Sequence, residues 1–221
     1  SCDSLGNSVT VWYDGREIYP QFYGQRIRYD GIALGNNFKV SDTLRVGPFY
    51  PRVGARKDGQ FVLAYSTGNN TWCRRFRADG SPLGMSFRVN DDSISPTASY
   101  VAVAMHPLGN FTIVWGGTNN YYVYGQRFDF LGNRLGANFR ISDSANRYSP
   151  IPSIAIDYFG NFVVTWGTGT GSSNNVMGQR YDSLGQPIGS NFRVNETPAW
   201  SFNSVTYISN GGFVVAWRNQ Y

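Results

Sequence analysis

Hydrophobic positions along this chain come in short runs broken by glycine-containing turns, and no helical periodicity lasts longer than a turn. One run opens at a glycine five times: Gly6-Asn7-Ser8-Val9-Thr10-Val11-Trp12, Gly59-Gln60-Phe61-Val62-Leu63-Ala64-Tyr65, Gly109-Asn110-Phe111-Thr112-Ile113-Val114-Trp115, Gly160-Asn161-Phe162-Val163-Val164-Thr165-Trp166 and Gly211-Gly212-Phe213-Val214-Val215-Ala216-Trp217. The glycines step by 53, 50, 51 and 51 residues. After each of the first four copies comes a second pattern, an arginine and an apolar residue, three variable residues, then G-x-x-x-G-x-x-F-[KR]-[VI]-[SN]. It runs from Arg26 to Ser41, Arg75 to Asn90, Arg127 to Ser142 and Arg180 to Asn195. Two motifs that keep register over nearly the whole chain define an internal repeat.

Each unit reads as four short strands, A to D. In the fourth unit these are Pro152 to Asp157, Phe162 to Trp166, Asn175 to Tyr181 and Asn191 to Val194. Gly-Asn, Asp-Gly and Gly-Gly pairs supply the positive φ angles of tight hairpins, so the glycines are turn chemistry and imply no phosphate loop. Four-stranded antiparallel units at this period are what a β-propeller blade needs, because blades bury their faces against their neighbours around an axis. A β-sandwich also has many short strands, but nothing in it requires one fixed period. The expected fold is all-β: a propeller of four complete or near-complete repeats plus a partial fifth, the alternative being another repeat-built β architecture. The units fall at about 1–50, 51–98, 99–150, 151–202 and 203–221 within a single repeat domain.

The repeats resemble the roughly 50-residue G-x-F-V-V-x-W and Y-G-Q-R-F-D-x-x-G-x-x-x-G-x-x-F-x-V-N units found in tandem in large secreted bacterial proteins. Tyr124-Gly125-Gln126-Arg127-Phe128-Asp129 and Met177-Gly178-Gln179-Arg180-Tyr181-Asp182 carry the likeness most closely. The resemblance implies a secreted, extracellular or cell-surface protein. Copy two departs from it at Cys73-Arg74-Arg75, and copy one has Ser8 where phenylalanine is expected. The first unit opens on a stub of strand A, Ser1 to Asp3, and the last has an A and a B strand over Val205 to Trp217 with no C or D. An open B edge is an aggregation hazard, so the expectation is a homo-oligomer, or a continuation in another chain, through this incomplete terminal blade.

Charge changes the picture little. Nineteen Lys and Arg against fourteen Asp and Glu give +5, with the positive charges scattered singly, which argues against a nucleic-acid groove. No run approaches the roughly 18 to 20 apolar residues of a membrane span, and no charged-then-apolar leader opens the chain. The single histidine, His106, sits in an A-to-B turn and reads as a solvated surface residue. Zinc-site spacing is absent, and no cofactor or metal is expected. Cys2 and Cys73, 71 positions apart, leave the bonded and the free forms both open. Glu17 and Glu196 are the only glutamates, Asp129 and Asp182 occupy equivalent repeat positions, and no S-x-D-x-G-x-x-W box occurs. From the scarcity of paired carboxylates the expectation is that the chain is not an enzyme. Asp42 and Asp91-Asp92 sit in loops where a weak ion could bind.

The A-to-B and C-to-D turns, at one end of each blade, are nearly identical from unit to unit. The B-to-C and D-to-A connections, at the other end, vary in length and carry surplus aromatics, including Phe22, Tyr100 and Tyr148. Loops on a rigid scaffold are where function concentrates. Trp72, Tyr121, Tyr122 and Trp200 are the candidate ligand-binding residues, because Trp and Tyr rings beside amides suit sugar rings. These features point to a non-catalytic, lectin-like propeller that binds glycans, the alternative being a self-assembling surface or filament protein completed by another chain.

Overall fold

A computed structural model of the chain describes residues 1–18, 21–42, 49–67, 70–91, 99–146, 150–168, 174–197, 199–208 and 211–219. The first blade contains β1 (Ser8–Asp14), β2 (Gln21–Ile27) and β3 (Ala33–Lys39). The second contains β4 (Phe49–Ala55), β5 (Phe61–Thr67), β6 (Asn70–Phe76) and β7 (Phe87–Arg88), and the third β8 (Val101–Met105), β9 (Phe111–Gly116), β10 (Val123–Phe128) and β11 (Phe139–Arg140). The fourth contains β12 (Pro152–Ile156), β13 (Phe162–Gly167), β14 (Val176–Tyr181) and β15 (Pro187–Arg193); β16 (Ala199–Tyr207) and β17 (Phe213–Asn219) form the fifth. Strands pair in chain order within each sheet, antiparallel throughout, so the molecule is an all-β propeller with four full or nearly full blades and a two-stranded fifth. The missing A strand of the first blade is represented by Ser1 and Cys2: Cys2 bridges to Ser8, and Val9 N donates to Ser1 O at 3.0 Å.

Strands β4, β8, β12 and β16 pack side by side and line the axis. The B strands β5, β9 and β13 lie between two strands of their own sheet and between two neighbouring blades, so almost every residue in them is buried. Alternate residues then serve opposite neighbours. Phe162, Val164 and Trp166 pack on Val114, Val123 and Ile141 of the third blade, whereas Val163 packs with Val205 of the fifth. The repeated phenylalanine in the B strand stacks on the aromatic that follows the repeated arginine in the C strand: Phe61 on Phe76 at 4.8 Å, Phe111 on Phe128 at 4.9 Å, Phe162 on Tyr181 at 4.6 Å. In the first blade these places hold Ser8 and Ile27, which are paired across the strands without a ring.

Three polar devices join the blades. Asn191 Nδ2 donates to Ile141 O at 3.1 Å while its Oδ1 accepts Asp143 N at 2.7 Å; Asn138 makes the same pair of bonds to Val89 O and Asp91 N. The repeated arginine reaches forward into the next blade: Arg75 donates to Leu131 O and, at 3.0 Å, to Phe130 O, and Arg127 donates to Leu184 O and, at 2.6 Å, to Ser183 O. His106 is engaged rather than solvated, with Nδ1 accepting Leu108 N at 3.1 Å and Nε2 2.9 Å from Tyr158 O of the next blade. Since a carbonyl can only accept, the bonded tautomer carries its proton on Nε2. Asp129 and Asp182 hold their own hairpins, accepting Leu131 and Asn133 N, and Leu184 and Gln186 N, respectively.

Both cysteines are free: Cys2 is exposed, Cys73 fully buried, and burial pushes the Cys73 thiol up, away from thiolate. A thiol reagent on the folded protein should therefore modify one group, Cys2, and reach Cys73 only after denaturant is added. Fast labelling of two thiols would show that the second blade opens readily.

Candidate functional site

The variable face is best defined at the third blade. β9 ends in Trp115-Gly116, with Gly117 after it; the first glycine is required because a Cβ on Gly116 would overlap the backbone oxygen of Pro150, and one on Gly117 would press on Asn120 Oδ1. Gly117 N donates to Tyr122 O at 2.8 Å, and Asn120 Nδ2 donates to the Tyr124 hydroxyl at 2.6 Å, which closes the loop. Asn120 Oδ1 is buried with no hydrogen-bond partner among the described residues. Tyr121 is left at the tip with φ +57, the only non-glycine residue at positive φ among those described, and the residue is 36% exposed. That backbone region costs an L-residue roughly 1–2 kcal/mol. Its carbonyl is clamped by Asn146, whose backbone N and Nδ2 donate at 2.9 and 2.7 Å. Beside it the Arg140 guanidinium lies 4.8 Å from the centre of the Tyr122 ring.

Of the expected ligand-binding residues, Tyr121 and Tyr122 are therefore together in a B-to-C loop. Trp72 is not in a loop: it belongs to β6, opposite Tyr65 and Arg88, and packs on the core between the first and second blades. Loop length misplaced it, because β5 and β6 continue almost to the hairpin tip. Trp200 lies in β16 rather than in a free connection; its side chain is outside the described residues. Tyr148, and Asp92 among the loop carboxylates, also fall outside them. Phe22 is a buried residue of β2 rather than a loop aromatic. Asp42 makes an inter-blade contact: its Oδ2 accepts Ser86 N at 2.6 Å and lies 3.6 Å from Arg74 Nε.

Asn120, Arg140 and Asn146 escaped the sequence reading, although the double glycine after β9 marks a loop folded back on itself. A second polar group, also missed, lies on the first blade. Trp12 Nε1 and Arg16 Nη2 both donate to Asp14 Oδ2, at 2.8 and 2.5 Å, while Glu17 accepts from the Tyr23 hydroxyl at 2.5 Å and from Lys39 Nζ at 2.9 Å. Hydrogen bonds from Arg16 and Trp12 hold the Asp14 carboxyl well below the usual range, and those from Tyr23 and Lys39 lower Glu17. Both are ionised at neutral pH, so they can accept hydrogen bonds or a proton but cannot serve as acids there.

The sequence matches no family model and no curated protein. The fold, by contrast, is similar to solved propellers. An alpha-L-arabinofuranosidase of Fusarium graminearum, in complex with arabinobiose, aligns with a TM-score of 0.66 at 13% identity, over 98% of this chain and 73% of that one. The alpha-L-arabinanase of Penicillium chrysogenum, also complexed with arabinobiose, aligns with a TM-score of 0.61 at 14% identity, over 100% and 74%. The Dos1 propeller aligns with a TM-score of 0.50 at 14% identity, and this chain spans 48% of its length. These likenesses correct the expectation of a non-catalytic lectin-like or self-assembling protein and the exclusion of an enzyme behind it. The same blade arrangement houses glycosidases, so the fold is compatible with catalysis.

Proposed function

We propose that this chain acts on carbohydrate, as a propeller of the glycoside-hydrolase kind that holds its saccharide on the B-to-C and D-to-A face of the third blade. The observation that carries the reading is Tyr121. The loop keeps a bulky ring exposed at a strained backbone position, and strain of this kind persists where the surroundings over-determine it and function uses it. On the adjacent residue, the Tyr122 ring has the Arg140 guanidinium 4.8 Å from its centre. A sugar presents an apolar C–H face for a ring and hydroxyls for a guanidinium. The arabinobiose held by the two fungal propellers supports a saccharide as the ligand class.

The test is a screen of arabino- and galacto-oligosaccharides and their polymers for binding and for release of reducing ends, run on the wild type and on Tyr121→Gly. Glycine accepts the positive φ without strain, so the variant should be no less stable. Its saccharide affinity should nonetheless fall roughly twofold to tenfold, the value of one stacked ring. A screen in which no saccharide is bound or cleaved, or equal affinity in both proteins, would remove the reading.

A further inference from the structure

Turn tips are ordinarily built from glycine and polar residues. In the third and fourth blades they are apolar. The A-to-B and C-to-D turns there, each closed by a glycine N–H on the carbonyl three residues back, carry Leu108, Phe130, Leu131, Tyr158, Phe159 and Leu184 at their apices, and these six are between 52 and 76% exposed. The tips adjoin one another: a Cβ on Gly109, next to Leu108, would lie 2.9 Å from Phe130 Cβ, the Tyr158 and Phe159 rings meet edge-on at 5.8 Å, and a Cβ on Gly160 would lie 3.2 Å from Cβ of Ser183, next to Leu184. The same turns of the second blade carry Lys57-Asp58 and Ala78-Asp79, so the repeat itself does not require apolar tips.

A second feature is the backbone of these tips, which is satisfied from within the protein. Arg75 donates to the carbonyls of Phe130 and Leu131, Arg127 to those of Ser183 and Leu184, and His106 Nε2 lies 2.9 Å from that of Tyr158. On the donor side, Oδ1 of Asp129, Asp157 and Asp182 accepts the N–H of Leu131, Phe159 and Leu184. A turn carbonyl facing water needs no such partner, whereas one that enters a medium without hydrogen-bond donors is costly unless it brings a partner with it. The second blade supplies the contrast. Its tip at Ala78-Asp79 is polar and exposed, and Arg26, which holds the clasping position, makes no hydrogen bond to it among the described residues and keeps a buried, unpartnered Nε. The clasped tips are the apolar ones.

We propose that the turn face of the third and fourth blades is an interfacial membrane-binding surface, whose apolar tips enter the headgroup and upper acyl region of a phospholipid bilayer. The occupant is a lipid layer because the side chains stand on separate turns, as a plane rather than a groove-filling segment requires, and because the tip carbonyls already hold the donors that a lipid layer lacks. Lys57 Nζ lies 5.1 Å from the centre of the Tyr158 ring, which sets a cation and an aromatic ring together where headgroups meet the acyl chains. The patch is at the opposite end of the blades from the Tyr121 loop, so the inference is independent of the carbohydrate reading, and docking leaves that loop turned to water.

The probes are liposomes of phosphatidylcholine, without and with phosphatidylglycerol, and the readout is the fraction of protein that floats with them. The wild type should bind both kinds with little dependence on salt, since apolar burial rather than charge drives it. Phe159→Ser and Leu184→Ser should each lower the partition coefficient roughly tenfold, the value of one buried apolar side chain, while leaving the denaturation midpoint in place. Ile18→Ser removes a side chain that is 93% exposed at the opposite end and should leave binding unchanged. In Phe159→Trp, the added indole fluorescence should be quenched by lipid brominated in its acyl chains. A wild type that stays with the lipid-free fraction overturns the proposal. So does equal loss in Ile18→Ser, binding unaltered in both tip variants, or a concentration-dependent self-association that the tip variants abolish, which would make a second copy the occupant.

Discussion

Trp166→Ala should lower the free energy of unfolding by about 3–5 kcal/mol, the range for removing a large aromatic from a packed interior. Trp166 is 1% exposed and lies in the cluster that the third and fourth blades share with Val114, Val123, Ile141 and Val164. The loss leaves a hole between two sheets whose backbones are held apart by their own ladders, so the site cannot collapse to fill it. The comparison that makes the test specific is Trp217→Ala. It carries the same repeat position, but Trp217 is 39% exposed, and its loss should cost less than about 1.5 kcal/mol. Chemical denaturation of both variants checks this. Equal midpoints for wild type and Trp166→Ala would mean that the blades do not bury their faces as described.

Gly178→Ala is the second large effect, at about 1–3 kcal/mol destabilising. Gly178 is not at positive φ, so the cause is space: a Cβ there would lie 2.6 Å from Phe192 Cζ and 2.9 Å from its Cε2. The ring of the D strand lies across the backbone of the C strand, and the same approach recurs at Gly125 with Phe139, at 2.7 Å, and at Gly24 with Phe38, at 3.0 Å. In the second blade Cys73 occupies the position beside Phe87, so the fold has one solution that admits a side chain; Phe87 still meets Phe128 of the next blade edge-on at 5.4 Å, as Phe139 meets Tyr181 at 5.7 Å. Thermal melts of Gly178→Ala, Phe192→Leu and the double variant would show the coupling: the double should cost less than the sum, because a smaller side chain relieves the clash. Strict additivity would remove the steric explanation.

The glycine in G-Q-R and the phenylalanine fourteen positions on were legible as a repeated pair, while their contact was not, because the strands between them must fold before the ring can lie over the backbone. The repeated asparagine, Asn138 or Asn191, went unnoticed for a different reason. Three of the four copies carry it, Asn37, Asn138 and Asn191, with Ser86 in the second, but a single polar position does not announce the clasp on the preceding blade that the third and fourth blades make. Within the candidate site, the aromatic loop around Tyr121 could be read from surplus rings, but Trp72 could not be separated from it. Both follow a B strand, and only the length of the β5–β6 ladder shows that Trp72 is still in a strand. Asn120, Arg140 and Asn146 come to the loop from three different segments, and no spacing along the chain announces that.

The chain's own pattern determined the period, the strand order within a blade and the identity of the residues that stack between blades. These depend on local turn chemistry and on alternation, both of which are written along a few consecutive residues. Tertiary structure alone decided which partner each repeated residue meets in the neighbouring blade. Arg26 and Arg127 hold equivalent positions in the sequence, yet Arg127 clasps the carbonyls of Ser183 and Leu184 while Arg26 Nε is buried without a hydrogen-bond partner among the described residues. That difference is a property of the blade next along the ring, which the residue's own repeat does not encode.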